Sequence, residues 1–138
     1  MNIVEISNDF CLNYLGCIRR SAALVGITQS QALCLNSIPF NGISQSDLAK
    51  KLSIDISTLS RNLNKLIKLN LIFKNVSTMD QRSFKIKLTE KGERLYGQLL
   101  QNVKKELHQV YQQLSLSEAG HLEELLNKLN WQLELLNR

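Results

Sequence analysis

The apolar positions fall into six helical stretches and one pair of short alternating runs. The sharpest periodicity lies between Ile56 and Leu69. On a wheel of about 100° per residue, Ile56, Leu59, Leu63, Leu66 and Ile67 fall within about a third of the circumference. Ser57, Arg61, Asn64, Lys65 and Lys68 lie opposite them, with Thr58 and Ser60 on the flanks. Asp55 precedes this helix as an N-cap. A shorter helical pattern runs from Ser44 to Leu52, with Ser44 as its cap and Asp47 adding negative charge near the positive end. Downstream, Leu71 to Val76 and Ser83 to Leu88 read as strands around a polar turn, Ser77 to Arg82. The second strand alternates Phe84, Ile86 and Leu88 with Ser83, Lys85 and Lys87, which predicts a half-buried strand with a basic outer side. Helix, helix, hairpin is the order of a winged helix-turn-helix.

The flanks are helical. A helix from about Ile6 to Leu24 puts Phe10, Tyr14 and Cys17 on one stripe and Cys11, Leu15, Ile18 and Ala22 on another, an apolar surface wider than one neighbour needs. A second helix follows Thr28, with Gln31 at capping-box spacing, and stops before Pro39, where Phe40-Asn41-Gly42 reads as a turn. After the hairpin, Thr89 opens a long helix to about Leu114, with Leu95, Leu99, Val103, Leu107, Tyr111 and Leu114 at spacings of four and three. At its length it spans roughly 35–40 Å, more than one small domain requires. Ser115 and Glu118 form another capping box and start the last helix, where Leu122, Leu125, Leu126, Leu129, Leu133 and Leu136 share a face. Two long amphipathic helices outside the winged module point to dimerisation. The expected fold is mainly α with a small hairpin, an α+β winged helix. It forms one domain over residues 1–138, with the winged module at about 28–92 and dimerisation helices at 1–25 and 90–138.

Charge sharpens this picture. The net charge is +5, but between Ser44 and Lys91 ten Lys and Arg face four acids, whereas the rest of the chain has seven against eight. A solvated face ordinarily mixes signs, so basic charge concentrated in the winged module favours duplex DNA as partner. Ser57, Thr58, Ser60, Arg61, Asn64 and Lys65 are the major-groove candidates. Arg61 is the base reader, because Arg pairs with guanine edges, while Lys65 and Lys68 meet phosphate. Gln45 and Ser46 are further phosphate candidates.

Four pieces in order carry a resemblance to the MarR-type transcriptional regulators: Asp47 to Leu52, Asp55 to Arg61, Asp80-Gln81-Arg82, and Leu88-Thr89-Glu90-Lys91-Gly92. It extends less distinctly from about Asp9 to the end. One departure is Asn70, where the family usually ends its DNA-reading helix on Gly; Asn is the next residue best able to adopt the left-handed conformation. The resemblance implies a homodimer on a pseudo-palindromic operator, usually as a repressor, with a first helix that helps form the dimer. It also implies that Arg82 reaches the minor groove and that Asp80 orients it by a salt bridge. The alternative for this pair is a surface contact that only pins the hairpin.

Cys11, Cys17 and Cys34 have neither CxxC nor zinc-finger spacing. Cys11, within Phe10-Cys11-Leu12-Asn13-Tyr14, resembles the sensing cysteine of the thiol-based redox sensors of the same family. Those sensors have tyrosines in the second helix that bond the thiol, whereas Thr28 to Ile38 has none and Tyr14 is the only nearby substitute. A structural cysteine is the competing account. The other sensory expectation is a small apolar or aromatic effector between the outer helices and the winged module, permitted by the apolar residues of the first, second and fifth helices. His108 and His121 have no companions at metal-ligand spacing, so neither metal nor cofactor is expected. No Cys has a His nearby and no glycine-rich phosphate loop is present, which argues against an enzyme. A winged helix that binds protein instead of DNA is the remaining alternative. No apolar run approaches a membrane span and Met1 to Phe10 lacks a secretory pattern, so cytoplasm is expected.

Overall fold

The computed structural model describes residues 1–76 and 84–138. Its elements are α1 (Ile3–Leu24), α2 (Gln29–Asn36), α3 (Gln45–Leu52), α4 (Ile56–Lys68), β1 (Ile72–Val76), β2 (Phe84–Leu88), α5 (Glu90–Tyr111) and α6 (Leu116–Leu136). This is the mainly α winged-helix architecture that the residue pattern implied. Asp80 and Arg82 lie outside the described residues. The chain divides into two compact units, Met1–Val103 and Lys104–Arg138.

Side-chain caps set where the helices begin. Ser44, Asp55 and Ser115 each accept a backbone N–H three residues on, and Thr28 with Gln31 closes the capping box expected at α2. α1 starts earlier than its apolar pattern suggested, because Asn2 and Glu5 form a capping box of their own: Glu5 N–H donates to Asn2 Oδ1 at 3.0 Å and Asn2 N–H to Glu5 Oε2 at 3.1 Å. α4 ends as its sequence anticipated. Asn70 sits at φ +59°, its N–H donates to the Ile67 carbonyl at 2.9 Å, and Leu71 N–H reaches the Leu66 carbonyl at 3.0 Å. This pair of bonds is a Schellman closure around a left-handed residue.

The core of the first unit is assembled from Leu35, Leu48, Leu59, Leu63, Leu66, Leu71 and Ile86, all essentially inaccessible. α4 supplies three of them, each worth about 1.5–3 kcal/mol of burial. Its buried stripe is narrower than the sequence pattern, since Ile56 and Ile67 at its edge are 50% and 38% exposed. α2, α3 and β1 pack against α4, and α1 packs against α2. β1 and β2 pair antiparallel from Ile72 opposite Leu88 to Val76 opposite Phe84. Ile43 adds a bridge on the far side of β2, exchanging bonds with Ile86 at 3.0 and 2.7 Å. A single bridging residue has no periodicity, so this contact left no trace in the pattern. In the second unit, no residue of α6 is buried, and Leu125, Leu129, Trp131 and Leu133 are exposed.

The junction of α4, the hairpin and α5 is close-packed at the backbone. The Leu71 carbonyl accepts Thr89 N–H at 3.0 Å, and a Cβ built on Gly92 would overlap that carbonyl oxygen. Glycine is required here for close approach. Gly97, on the same helix, has nothing around the place its Cβ would occupy. The same substitution is therefore expected to have opposite signs at the two sites. Gly92→Ala lowers folding stability by about 3 kcal/mol through overpacking, whereas Gly97→Ala raises it by about 0.5–1 kcal/mol through helix propensity. Denaturant titration of both variants checks this, and equal effects would contradict the packing described.

Candidate nucleic-acid interface

With Leu59, Leu63 and Leu66 sunk into the core, the helix geometry forces the opposite residues of α4 outward. Ser57, Arg61, Asn64, Lys65 and Lys68 are all exposed. The face thus offers one hydroxyl, one amide and three cations along a single helix. Thr58 and Ser60 are half-buried on its two flanks. Ser60 turns toward α3, where its Oγ accepts Gln45 Nε2 at 2.7 Å. Gln45 therefore ties the two helices together, a contact with no sequence signal because it spans fifteen residues between ordinary polar side chains. Ser46 is exposed at the start of α3.

At the N-terminal end of α4 the polar groups form a chain. Asp55 Oδ1 accepts Thr58 N–H at 2.7 Å, Thr58 Oγ1 donates to Asp55 Oδ2 at 3.0 Å, and Arg61 Nη2 donates to Thr58 Oγ1 at 3.4 Å. The Thr58 amide, then its hydroxyl, and with them the positive charge of Arg61, hold the Asp55 carboxyl below its ordinary value of 3.8. The cap that starts the helix also orients its central cation. On the hairpin, Lys74 lies with its ammonium 4.7 Å from the Phe84 ring centre. Lys85 is exposed and Lys87 half-buried on β2, alternating with Phe84 and buried Ile86 as the period of two required.

A second feature lies apart from this face. α1, α2 and α5 enclose a cleft of about 90 Å³ lined by Tyr14, Ile18, Leu33, Asn36, Tyr96 and Leu99 among others, none of them charged. Tyr96 Oη donates to Asn36 Oδ1 at 3.1 Å. This is where the sequence pattern allowed an effector, although the polar pair Asn36 and Tyr96 was not singled out. Of the cysteines, Cys17 and Cys34 are buried and Cys11 is exposed. Burial pushes the Cys34 thiol up to about 11, which keeps it protonated and unreactive. Among the described residues no cluster of three potential metal ligands occurs, and no helix is long and apolar enough to cross a membrane.

Comparison with known proteins agrees with this geometry. Residues 25–83 match the model of the MarR family. MarR from E. coli in its apo form is 27% identical, over 94% of this chain and 97% of that one, with a TM-score of 0.79. A cysteine-to-serine mutant of E. coli MarR, complexed with operator DNA, is 27% identical over 92% of each chain, with a TM-score of 0.77. CouR from Rhodococcus jostii RHA1, bound to p-coumaroyl-CoA, shares the fold at a TM-score of 0.81 with 17% identity, over 93% of this chain and 91% of that one.

The cap chain predicts an acid dependence. A carboxyl whose folded pKa is lowered stabilises the fold above its ordinary pKa, and that contribution disappears as pH falls through the lowered value. Asp55→Ala is thus expected to melt below wild type at pH 7, with the gap closing as pH drops below 3.8. Thermal melts of the two proteins at pH 7, 4 and 2.5 measure it, and a gap independent of pH would contradict the role of the carboxylate.

Proposed function

We propose that this chain, whose residues 25–83 match the MarR family model, is a homodimeric, sequence-specific regulator of transcription of that family that grips duplex DNA with two copies of α4. The observation that carries this proposal is the outward face of α4, where Ser57, Arg61, Asn64, Lys65 and Lys68 stand exposed along one helix whose other side is buried leucine. The operator complex of the E. coli MarR mutant supports it. In this proposal Arg61 reads a base edge, Ser57, Thr58, Ser60 and Asn64 line the major groove, and Lys65 and Lys68 meet phosphate. Arg82 enters the minor groove, steadied by Asp80. Residues 28–92 form the DNA-reading part, and residues 1–25 and 90–138 provide the dimer.

Dimerisation is supported by exposed apolar surface in each unit. In the first unit Ile3, Val4, Ile6, Phe10 and Leu12 of α1 are exposed, and in the second so are Leu125, Leu126, Leu129, Leu133 and Leu136 of α6. Such concentrations of exposed apolar surface mark protein contacts. One winged module alone binds weakly and loses affinity steeply with salt. Two held at fixed separation engage both halves of a pseudo-palindrome, and anything that alters the separation releases the DNA. The uncharged cleft of Tyr14, Asn36 and Tyr96 suits a small, mostly apolar or aromatic effector. The CoA ester bound by CouR is consistent with effector control within this fold. Oxidation of exposed Cys11 is the alternative signal, with a purely structural cysteine as the competing account. In this proposal the protein is a repressor that one or the other signal releases.

Arg61→Ala and Arg82→Ala are each expected to weaken operator binding by about tenfold or more, the loss of one charged base or phosphate contact, while leaving the dimer intact. A gel-shift titration with a duplex selected by the wild-type protein tests this, and unchanged affinity in both variants would overturn the assigned roles. Leu129→Glu combined with Leu133→Glu is expected to convert the dimer to monomer in size-exclusion chromatography with light scattering. A dimer that survives both charges would remove α6 from the interface.

A further inference from the structure

The C-terminal end of α4 is held by side chains from the start of α5. Thr89 Oγ1 donates to the Asn70 carbonyl at 2.6 Å, and Lys91 Nζ donates to the Leu69 carbonyl at 2.9 Å. Thr89 N–H takes the next carbonyl, that of Leu71, at 3.0 Å. Three consecutive carbonyls leaving the helix are thereby satisfied from one turn, residues 89–91. The same Thr89 Oγ1 accepts Gly92 N–H at 3.0 Å, so it caps α5 while it ties down α4. Lys91 adds a positive charge where the dipole of α4 is negative. Gly92 allows the two backbones to come this close.

A helix whose apolar side is a short stripe of leucines resists translation better than rotation about its own axis. The polar face of α4 reads DNA only if its rotation fixes where Arg61 and Asn64 point. The leucines give depth, the Asp55 cap and the Gln45–Ser60 bond hold the first half, and residues 89–91 are what hold the last turn. We propose that Thr89 and Lys91 are positioning residues of the DNA-reading helix, setting the angle of its polar face from behind through carbonyl oxygens and without contacting the duplex. This rests on the proposal that α4 reads DNA.

Lys91 is itself a cation in a basic module, so the test must separate positioning from direct phosphate contact. The full chain is titrated by fluorescence anisotropy against two duplexes of equal length, one selected by the wild-type protein from a random library and one of random sequence, over a range of salt. Wild type is measured first: failure to bind either duplex would dispose of the DNA-reading proposal itself. Given binding, Lys91→Met and Thr89→Val are each expected to lose about tenfold in affinity for the selected duplex, the scale of one hydrogen bond of this kind. Random-duplex affinity and the slope of log K against log salt are expected to stay within error, and Lys91→Arg and Thr89→Ser to restore binding of the selected duplex. A slope reduced by about one in Lys91→Met would show a phosphate contact and overturn the positioning role for that residue. Equal losses on both duplexes, or no loss on either, would overturn it for both residues, and melting curves recorded alongside identify any loss that comes from unfolding.

Discussion

The backbone of Leu71 is tied from both sides. Its N–H closes the last turn of α4 on Leu66, and its carbonyl receives Thr89 N–H while lying against the bare Cα of Gly92. Its side chain is buried in the core, and β1 begins at the next residue. Three consecutive elements, α4, the hairpin and the start of α5, therefore share one fixed point. A shift of one is felt by the others because the Leu71 backbone is bonded to or packed against each of them. The local chemistry answers that demand: Asn70 takes the left-handed turn, Thr89 bonds in both directions, Lys91 meets a helix end, and Gly92 omits a side chain.

From this fixed point the rest of the first unit follows. Leu59, Leu63 and Leu66 can be buried only if α4 presents its other side to solvent, and on that side stand Ser57, Arg61, Asn64, Lys65 and Lys68. Such a face is expensive to keep unpaired in a low dielectric and easy to keep in water. The polar links around it are few and specific. Asp55, Thr58 and Arg61 order one end, Gln45 and Ser60 join it to α3, and the first turn of α5 holds the other end. The cleft beside Tyr96 borders α5, the helix that Thr89 caps and whose first turn carries Lys91. An occupant there would press on the element that secures α4.

How legible this was depended on whether a feature is local. Helix periodicity from Ile56 to Leu69, the alternation of Ser83 to Leu88, and the caps at Thr28, Ser44, Asp55 and Ser115 are local, and each leads to the element found. The left-handed Asn70 was readable because few residue types tolerate that conformation. Asn2 with Glu5 is an equally local signal that extends α1 by its capping box, beyond where the apolar stripe begins. Features made by distant residues were not readable: the Ile43–Ile86 bridge, the Gln45–Ser60 bond, the Tyr96–Asn36 pair, and the reach of Lys91 to Leu69. In each case side chains of unremarkable type meet only because the fold brings them together. The exposure of Ile56 and Ile67 is a further such case, since a wheel shows which side is apolar but not how wide the neighbouring core is. Asp80 and Arg82 rest on the resemblance to MarR-type regulators and lie outside the described residues.

We propose that two copies of this chain present α4 to one duplex. Sedimentation velocity of the full chain with a labelled duplex of about 30 base pairs, long enough for two half-sites a helical turn apart, is the decisive measurement. In low salt two chains are expected to travel with one duplex, and the complex to dissociate as salt is raised. A chain that sediments as a monomer and leaves the duplex unshifted at every salt concentration would contradict it.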